Sequence, residues 1–209
     1  AKSSIISKYD IKIFNKLNIK SETEVIYQTM AHENLDQHPN QTSNNFMFLN
    51  YGIDVYQRTG ALFSYLKDYI GEQEFNRVMK LYFENWKFRH PYPEDLKNIF
   101  KLNCKKNTDW LFDHVLNEDK KIDYSVINIK HSKSNNLILS IQNNGTIAAP
   151  VKIYSIKNDS ILRSQWVDGF LNEQEVEIQN LGQEKLVIDY EGKYFDYNRG
   201  NNSIRTYGI

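Results

Sequence analysis

Hydrophobic side chains recur every three or four positions through the first half of the chain, and this is the spacing of amphipathic helices. A first helix is predicted to begin near Ser21 and to run to about Ala31. The other helices are predicted over residues 55–70, 75–86, 93–102 and 108–116, with Gly71 in a left-handed cap after the first of these and Pro93 opening the third. Short connections between such helices favour antiparallel packing of neighbours.

After about residue 120 the hydrophobic positions alternate with polar ones, as they do in half-buried β-strands. The clearest alternation is that of Val176 and Ile178 with Glu175 and Glu177. Strands are predicted over residues 124–129, 137–141, 151–156, 161–166, 175–178 and 186–188. Turn residues separate these runs at short intervals, which is typical of an immunoglobulin-like sandwich.

The change from helical to alternating spacing falls between Asn117 and Ile122 and predicts a domain boundary there. Residues 1–121 are predicted to form a helical domain, and residues 122–209 a β-sandwich domain. The predicted fold class is therefore α+β and multidomain, with a helical lobe followed by an immunoglobulin-like β-sandwich.

Charge and hydropathy exclude two classes of protein. The chain of 209 residues carries 26 basic and 26 acidic side chains, so its formal net charge at pH 7 is zero. We expect no nucleic-acid partner, because such proteins usually neutralise phosphates with an excess of positive charge. No stretch approaches the roughly 18 apolar residues of a membrane-spanning helix, so we expect no membrane span. The compartment is left open, since any targeting segment would precede Ala1.

Aromatic side chains make up 13% of the residues, with 14 tyrosines among them. Two explanations are open. An AT-rich coding sequence would raise the tyrosine content without a functional reason, whereas stacked aromatic side chains could bind sugars or peptides. A glycan-binding sandwich that uses Trp166 is thus one alternative, which a titration with oligosaccharides followed by tryptophan fluorescence would test.

The histidines do not have the spacing of a zinc site. Zinc peptidases place two histidines four residues apart on one helix, in the pattern His-Glu-x-x-His. His32-Glu33 resembles the start of this pattern, but Asp36 stands at the position of the second histidine and His38 falls on a different helical face. We therefore expect surface histidines here, with no metal site and no cofactor bound by this chain.

The single cysteine, Cys104, excludes an internal disulfide. Its neighbours Lys105 and Lys106 could lower the pKa of the thiol, but no general base lies near it in the sequence. We therefore expect a buried or half-buried cysteine on a helix. The sequence also lacks a glycine-rich phosphate loop and the Gly-x-Ser-x-Gly elbow of hydrolases, so it contains no complete catalytic constellation.

Several short motifs follow one another in a specific order. They are Asn-Tyr-Gly-Ile-Asp-Val-Tyr-Gln-Arg-Thr-Gly-Ala-Leu at 50–62, Ile70-Gly71, Phe75, Trp-Lys-Phe-Arg-His-Pro-Tyr-Pro-Glu-Asp-Leu at 86–96, Asp-Trp-Leu-Phe at 109–112, Val-Ile-Asp at 187–189 and Phe-Asp-Tyr-Asn-Arg at 195–199. Each motif is loose by itself, and their order and spacing together are more specific.

This series resembles the zinc aminopeptidases of the aminopeptidase N family, over the region that follows their metal-binding helices. In that family a tyrosine opens a helix and a basic residue follows it, a Leu-Gly-x-x-x-Phe join leads to the next helix, and a Phe-x-x-Pro-Thr-Pro-Glu-Asp-like step comes next. Tyr56 takes the tyrosine position and Arg58 the basic position. Tyr92 stands where the family usually has threonine. The match runs from about Leu35 to the C-terminus.

The resemblance implies that residues 1–121 complete a thermolysin-like catalytic domain to which the sandwich is attached. In the family, zinc polarises the scissile carbonyl and activates a water, a glutamate serves as the base, and the tyrosine donates a hydrogen bond to the oxyanion. Tyr56 is the candidate catalytic residue on this basis, whereas Tyr51 is expected to pack against the helical core. Zinc is implied for the parent enzyme alone, because its ligands lie upstream of the matching region.

The implied function is that of the C-terminal fragment of a zinc-dependent metallo-aminopeptidase, which hydrolyses N-terminal residues from a peptide or protein substrate. The fragment by itself is expected to be inactive. The alternative is a non-catalytic scaffold module that binds a peptide or protein, in which Tyr56 only packs against the helical core. The two differ in whether His-Glu-x-x-His and a later glutamate precede Ala1 in the native polypeptide.

Overall fold

The computed structural model describes residues 22–118, 120–182, 184–193 and 195–206. These residues fall into two compact units. One unit joins residues 22–35 to residues from 120 onward and contains the strands, while the other consists of residues 36–118 and is helical. The fold is therefore α+β, with helices and two antiparallel sheets.

The strand-containing unit begins with helix α1 (Glu22–His32), whose predicted start at Ser21 lies outside the described residues. The helical unit then contains α2 (Thr59–Ile70), α3 (Glu72–Trp86) and α4 (Pro93–Asn103). A short helical turn (Phe48–Asn50) and a π-helical segment (Tyr51–Arg58) lead directly into α2, and a second π-helical segment covers Trp110–Val115.

The helices of this unit lie in the predicted regions, with differences at Gly71 and in the winding of residues 51–58 and 110–115. Pro93 occupies the first position of α4 as predicted, and the backbone N–H of Tyr92 donates to the carboxylate of Asp95 at 2.7 Å. Gly71 ends α2 with φ 93°, a value that favours glycine. Its ψ of 143° is extended, so the predicted left-handed cap is wrong. The predicted α-helix over 108–116 is wound as a π-helix instead.

Aromatic rings form the centre of the helical unit. The ring of Phe100 lies 5.2 Å from that of Phe112 and 6.4 Å from that of Phe63. Trp110 is only 3% exposed and meets the edge of Tyr65 at 6.0 Å. Aromatic pairs at these spacings add to the free energy gained by burial. The second π-helical segment is thus held in place by side chains of α2 and α4.

Among the described residues of the other unit, seven strands form two sheets. They are β1 (Tyr124–His131), β2 (Leu137–Asn143), β3 (Val151–Lys157), β4 (Ser160–Val167), β5 (Glu173–Ile178), β6 (Lys185–Ile188) and β7 (Ser203–Arg205). One sheet has the order β1-β2-β5 and the other the order β4-β3-β6-β7. Each pairing is antiparallel, and strands β1 and β2 and strands β3 and β4 form hairpins.

The alternation predicted for β5 is confirmed, because Val176 and Ile178 are buried while Glu175 and Glu177 are exposed. On the same sheet, Tyr124 connects the start of β1 to neighbouring loops. Its hydroxyl donates to the carbonyl of Ala149 at 2.8 Å, in a buried position. The two antiparallel sheets and this buried tyrosine are compatible with the predicted sandwich.

Helix α1 packs against the chain near residue 196, within the strand-containing unit. Tyr27 is buried and meets the ring of Phe195 edge-on at 5.2 Å. The side-chain amide of Gln28 donates to the backbone carbonyl of Asp196, and the ring of His32 lies 4.3 Å from that of Tyr197. Helix α1 therefore contacts three consecutive residues, 195–197, and holds them in place.

The Asp196 carboxylate is buried at this point. Its oxygens accept hydrogen bonds from the backbone N–H groups of Tyr124 at 2.9 Å and Asn198 at 3.0 Å. Burial, together with the smaller effects of the nearby charges of Asp123 and Asp189, nevertheless raises the pKa of Asp196 to about 8, although the two hydrogen bonds lower it. The carboxyl group thus holds its proton in the folded chain at a pH where an unfolded aspartate is ionised.

Replacing Trp110 with alanine should lower the free energy of unfolding by about 3–5 kcal/mol, because a buried indole is lost and a cavity remains. Urea unfolding followed by tyrosine fluorescence measures this change. Trp110→Phe is the matched control and should cost much less, since it keeps a ring against Tyr65 and removes the buried indole N–H, which has no hydrogen-bond partner. Equal losses for both variants would contradict this packing.

The raised pKa of Asp196 predicts a pH dependence of stability. Since the folded pKa lies above that of an unfolded aspartate, the folded state binds more protons between about pH 4 and pH 8. The free energy of unfolding should fall as pH rises through this window, by at most about 1.4 kcal/mol per pH unit.

Urea unfolding of the chain and of Asp196→Asn across the window from about pH 5 to pH 8 tests this expectation. The variant loses one backbone hydrogen bond and should be less stable throughout, but its stability should depend less on pH. The same slope in both proteins would exclude Asp196 as its source.

Candidate functional site

The candidate site is the π-helical segment Tyr51–Arg58, which contains the predicted catalytic residue Tyr56. The wider winding is visible where the N–H of Thr59 donates to the carbonyl of Asp54, five residues earlier. The hydroxyl of Thr59 donates to the same carbonyl at 2.7 Å. Such π-helical turns are rare and often occur at functional sites. This local winding decides which side chains point inward and which point outward.

A buried ion pair holds the inward side of the segment. Asp54 and Arg58 are both buried, and a guanidinium nitrogen lies 3.5 Å from Oδ1 of the carboxylate. The backbone N–H of Gln37 donates to Oδ2 at 3.2 Å. Burial raises the pKa of Asp54, whereas the charge of Arg58 and the hydrogen bond from Gln37 lower it, and the raising effect is larger. The buried carboxylate of Asp54 therefore depends on Arg58 and on the backbone N–H of Gln37 to offset the loss of its hydration.

Gln37 connects the preceding loop to this segment through its side chain. Its Oε1 accepts hydrogen bonds from the amide of Asn50 at 2.8 Å and from the backbone N–H of Met47 at 2.9 Å. Its Nε2 donates to the carbonyl of Asn45 at 2.9 Å. Together with its bond to Asp54, one glutamine thus fixes both the loop and the start of the helix.

Two tyrosines occupy the outward side of the segment. Tyr56 is 63% exposed, and its hydroxyl oxygen lies 3.4 Å from that of Tyr51. Their rings meet edge-on, with centroids 5.5 Å apart. Tyr51 is 41% exposed, so the prediction that it packs against the helical core is wrong. The hydrogen bond with Tyr56 raises the pKa of Tyr51 above the ordinary value of a tyrosine.

Large apolar side chains are exposed just before this segment. Phe48 is 97% exposed, and Met47 and Leu49 are also exposed. Single exposed apolar residues are common, but several consecutive ones are typical of a surface that another protein covers. We name residues 47–49 the apolar step, and it is separated from Tyr51 only by Asn50.

Other side chains of the helical unit line a small pocket of about 190 Å³. Val55 and Thr59 contribute from the segment and α2, and Phe63, Leu96, Phe112 and Leu116 supply most of the apolar wall. Lys97 at this pocket is held by ion pairs to Glu94 at 3.2 Å and to Asp113 at 2.5 Å. The pocket is large enough for one hydrocarbon side chain, and its two charged lining residues, Glu94 and Lys97, form an ion pair with each other.

Within the described residues, no three His, Cys, Asp or Glu side chains come close enough together to hold a metal ion. Cys104 is half-buried, and it caps the C-terminal end of α4 with an extended backbone instead of lying within the helix as expected. Burial raises the pKa of its thiol, with a smaller contribution from the charge of Glu74 that exceeds the opposing effect of Arg77. A raised pKa disfavours the thiolate, so Cys104 is not activated as a nucleophile.

None of the helices in the described part of the chain combines the length and the apolar character of a membrane-spanning helix.

Comparison with models of protein families and with curated proteins finds no match for this chain. The resemblance to the aminopeptidase N family therefore rests on the order and spacing of the motifs themselves.

Sequence reasoning singled out Tyr56 and Arg58 but missed Asp54 and Gln37. A signal for Asp54 was present, since an acidic and a basic residue four positions apart often pair on a helix. Asp54 stands between Ile53 and Val55, and a charged residue in apolar surroundings suggests a buried partner. Gln37 gave no such signal, because its contacts join it to residues between 8 and 17 positions away.

Removing one member of the buried pair should destabilise the helical unit. Arg58→Met leaves the Asp54 carboxylate buried without its guanidinium and should cost about 3–5 kcal/mol in the free energy of unfolding. The cost should be smaller at low pH, since protonation removes the uncompensated charge. Urea unfolding at two pH values measures both effects.

Lys67→Met is the matched control for that variant. Lys67 pairs with Glu72 at 2.9 Å on the exposed surface of the same unit, and its loss should cost less than about 1 kcal/mol. A cost for Arg58→Met as small as that of the control would show that the buried pair does not stabilise the segment.

Proposed function

We propose that the chain is the C-terminal portion of a zinc-dependent aminopeptidase of the aminopeptidase N family, with Tyr56 as its oxyanion-stabilising residue. The observation that carries the proposal is the exposure of Tyr56 on a π-helical segment that the Asp54–Arg58 pair fixes from the inside. The motifs that surround Tyr56 in the sequence support the same conclusion. The helical part would complete a thermolysin-like catalytic domain, and the sheets would form an immunoglobulin-like sandwich attached to it.

Tyr56 has the chemistry that this role requires. When water attacks a peptide carbonyl, negative charge develops on the carbonyl oxygen, and a fixed hydrogen-bond donor aimed at that oxygen stabilises the transition state. A phenol on a helix whose backbone is held by Asp54, Arg58 and Thr59 meets this requirement. Tyr51, at 3.4 Å between the two hydroxyl oxygens, restricts the direction in which the Tyr56 hydroxyl points.

The described residues do not fit a zinc site, because no group of three suitable ligands comes together among them. Zinc would therefore be held by residues upstream of Ala1, together with the base that activates water. This chain would supply the oxyanion donor and part of the structural support, and by itself it would not hydrolyse peptides.

A second candidate function is a non-catalytic module that binds a protein or peptide, and the apolar step favours it. Exposed Met47, Phe48 and Leu49 suit contact with another protein whether or not that protein carries zinc. Under the first proposal the partner surface belongs to the upstream lobe of the same polypeptide. Under the second it belongs to a separate molecule.

The sequence upstream of Ala1 in the native polypeptide tests the proposal most directly. Peptide sequencing of the native protein should find His-Glu-x-x-His and, further along, a glutamate before Ala1. A native product that lacks these ligands would exclude the aminopeptidase and leave the binding module.

In the zinc-loaded full-length protein, Tyr56→Phe should lower kcat for an aminoacyl substrate by about 10²–10³-fold, because one oxyanion donor is lost. The melting temperature should change little, since the hydroxyl is exposed. Tyr51→Phe is the matched control and removes a phenol from the same surface, with a smaller expected loss. Near-normal turnover of Tyr56→Phe would remove Tyr56 from the mechanism.

A further inference from the structure

Tyr51 and Tyr56 form a pair of phenols whose hydroxyl groups are held next to each other. The two oxygens lie 3.4 Å apart, and the rings meet edge-on at 80° with centroids 5.5 Å apart. On an α-helix, residues five positions apart lie about 140° apart around the axis and do not meet. The π-helical winding of Tyr51–Arg58 takes more residues per turn, and it brings the two side chains together.

The surroundings of the pair restrict its movement. The ring of Tyr51 contacts a second ring, that of Phe46, edge-on with centroids 5.8 Å apart. The buried pair of Asp54 and Arg58 and the bond from the Thr59 hydroxyl to the Asp54 carbonyl hold the backbone of the segment. Two groups held close together on one segment react without first meeting by diffusion, which favours a reaction between them over a reaction with another molecule.

Both phenols are accessible to a dissolved oxidant, since Tyr51 is 41% exposed and Tyr56 63% exposed. The contact between Tyr154 and Tyr190 is different. Their ring centroids lie 5.9 Å apart, but Tyr154 is only 3% exposed and its hydroxyl donates to the carboxylate of Glu191 at 2.8 Å. A ring contact by itself therefore does not produce the arrangement of Tyr51 and Tyr56, in which two accessible hydroxyl groups are adjacent.

We propose that Tyr51 and Tyr56 form an oxidative modification site, where hydrogen peroxide activated by a haem peroxidase joins the two side chains in a dityrosine bond. Each phenol gives up one electron and one proton and becomes a phenoxyl radical, whose unpaired electron extends to the ring carbon next to the C–O carbon. These two ring carbons form the new C–C bond. Each then loses its hydrogen as a proton, and each phenolic oxygen takes up a proton. The peroxide receives the two electrons and two protons given up at first and becomes two molecules of water.

Cross-linking needs neither zinc nor a peptide substrate, so it does not depend on the proposed function. Its consequence for activity does depend on that function. A Tyr56 ring bonded to the ring of Tyr51 can no longer turn freely. In the proposed enzyme, oxidation would therefore remove Tyr56 as a hydrogen-bond donor to the oxyanion.

Brief oxidation of the 209-residue chain with haem peroxidase and hydrogen peroxide, at a low and a high protein concentration, tests the proposal. The single chain should lose the mass of two hydrogen atoms and gain the fluorescence of dityrosine, in a yield that does not change with protein concentration. Arg58 is the only lysine or arginine in residues 21–58, so trypsin releases both tyrosines in one peptide. A bond between them should suppress the fragment ions that arise from backbone cleavage between residues 51 and 56.

Three variants locate the bond. Tyr51→Phe and Tyr56→Phe should each lower the yield of the intramolecular product by about tenfold or more, because the adjacent phenol is lost. Both variants keep an aromatic ring at an exposed position, so the fold should be retained. Tyr92→Phe is the matched control, since it removes a phenol that is 77% exposed before α4, and it should leave the yield unchanged. Free tyrosine in the same mixture shows that the oxidant is active.

Several results would overturn the proposal. It fails if the single chain gains no dityrosine at an oxidant dose that dimerises free tyrosine. It also fails if the main product joins two chains and its yield rises with protein concentration, because the coupling would then occur between molecules. Retention of the intramolecular product in Tyr51→Phe or Tyr56→Phe would show that other tyrosines form the bond.

Discussion

The arrangement of the helical unit depends on the buried pair of Asp54 and Arg58. Two charges in the interior lose their hydration, and only their mutual attraction and further hydrogen bonds compensate for that loss. The chain meets this condition by winding residues 51–58 as a π-helix, which turns both side chains inward within one segment. The bond from Gln37 to Asp54 and the aromatic packing beyond α2 then hold the segment in one position.

This constraint also explains why Tyr56 lies at the surface. Between the inward-facing residues 54 and 58, the same winding directs residue 56 outward, where its hydroxyl meets that of Tyr51. A side chain on a backbone that is held by buried contacts can orient a hydrogen bond more precisely than a side chain on a loop. The proposed role in oxyanion stabilisation uses this rigidity, and the exposed apolar step before it offers a surface for the lobe or partner that would bring the substrate.

In the strand-containing unit, the buried carboxylate of Asp196 accepts its hydrogen bonds from different segments of the chain, whereas Asp54 and Arg58 pair within one helical segment. Asp196 is enclosed between the start of β1 and the chain near Asn198, and α1 covers the neighbouring residues. Its proton, rather than a counter-charge, makes the burial tolerable. In the other sheet, strand register holds Lys185 of β6 directly opposite Arg205 of β7.

The sequence by itself determined the class of each half, because helical and strand spacing are local properties that tertiary contacts seldom reverse. It also determined the helix start at Pro93 and the alternation of Val176 and Ile178, which follow from the geometry of a proline ring and of a pleated strand. Tertiary structure alone decided the π-helical winding, the pairing of Gln37 with Asp54, the exposure of Tyr51 and the packing of α1 against residues 195–197. These features depend on the desolvation of charged groups and on contacts between residues distant in the chain. A local pattern of side chains does not contain the free energies of these interactions.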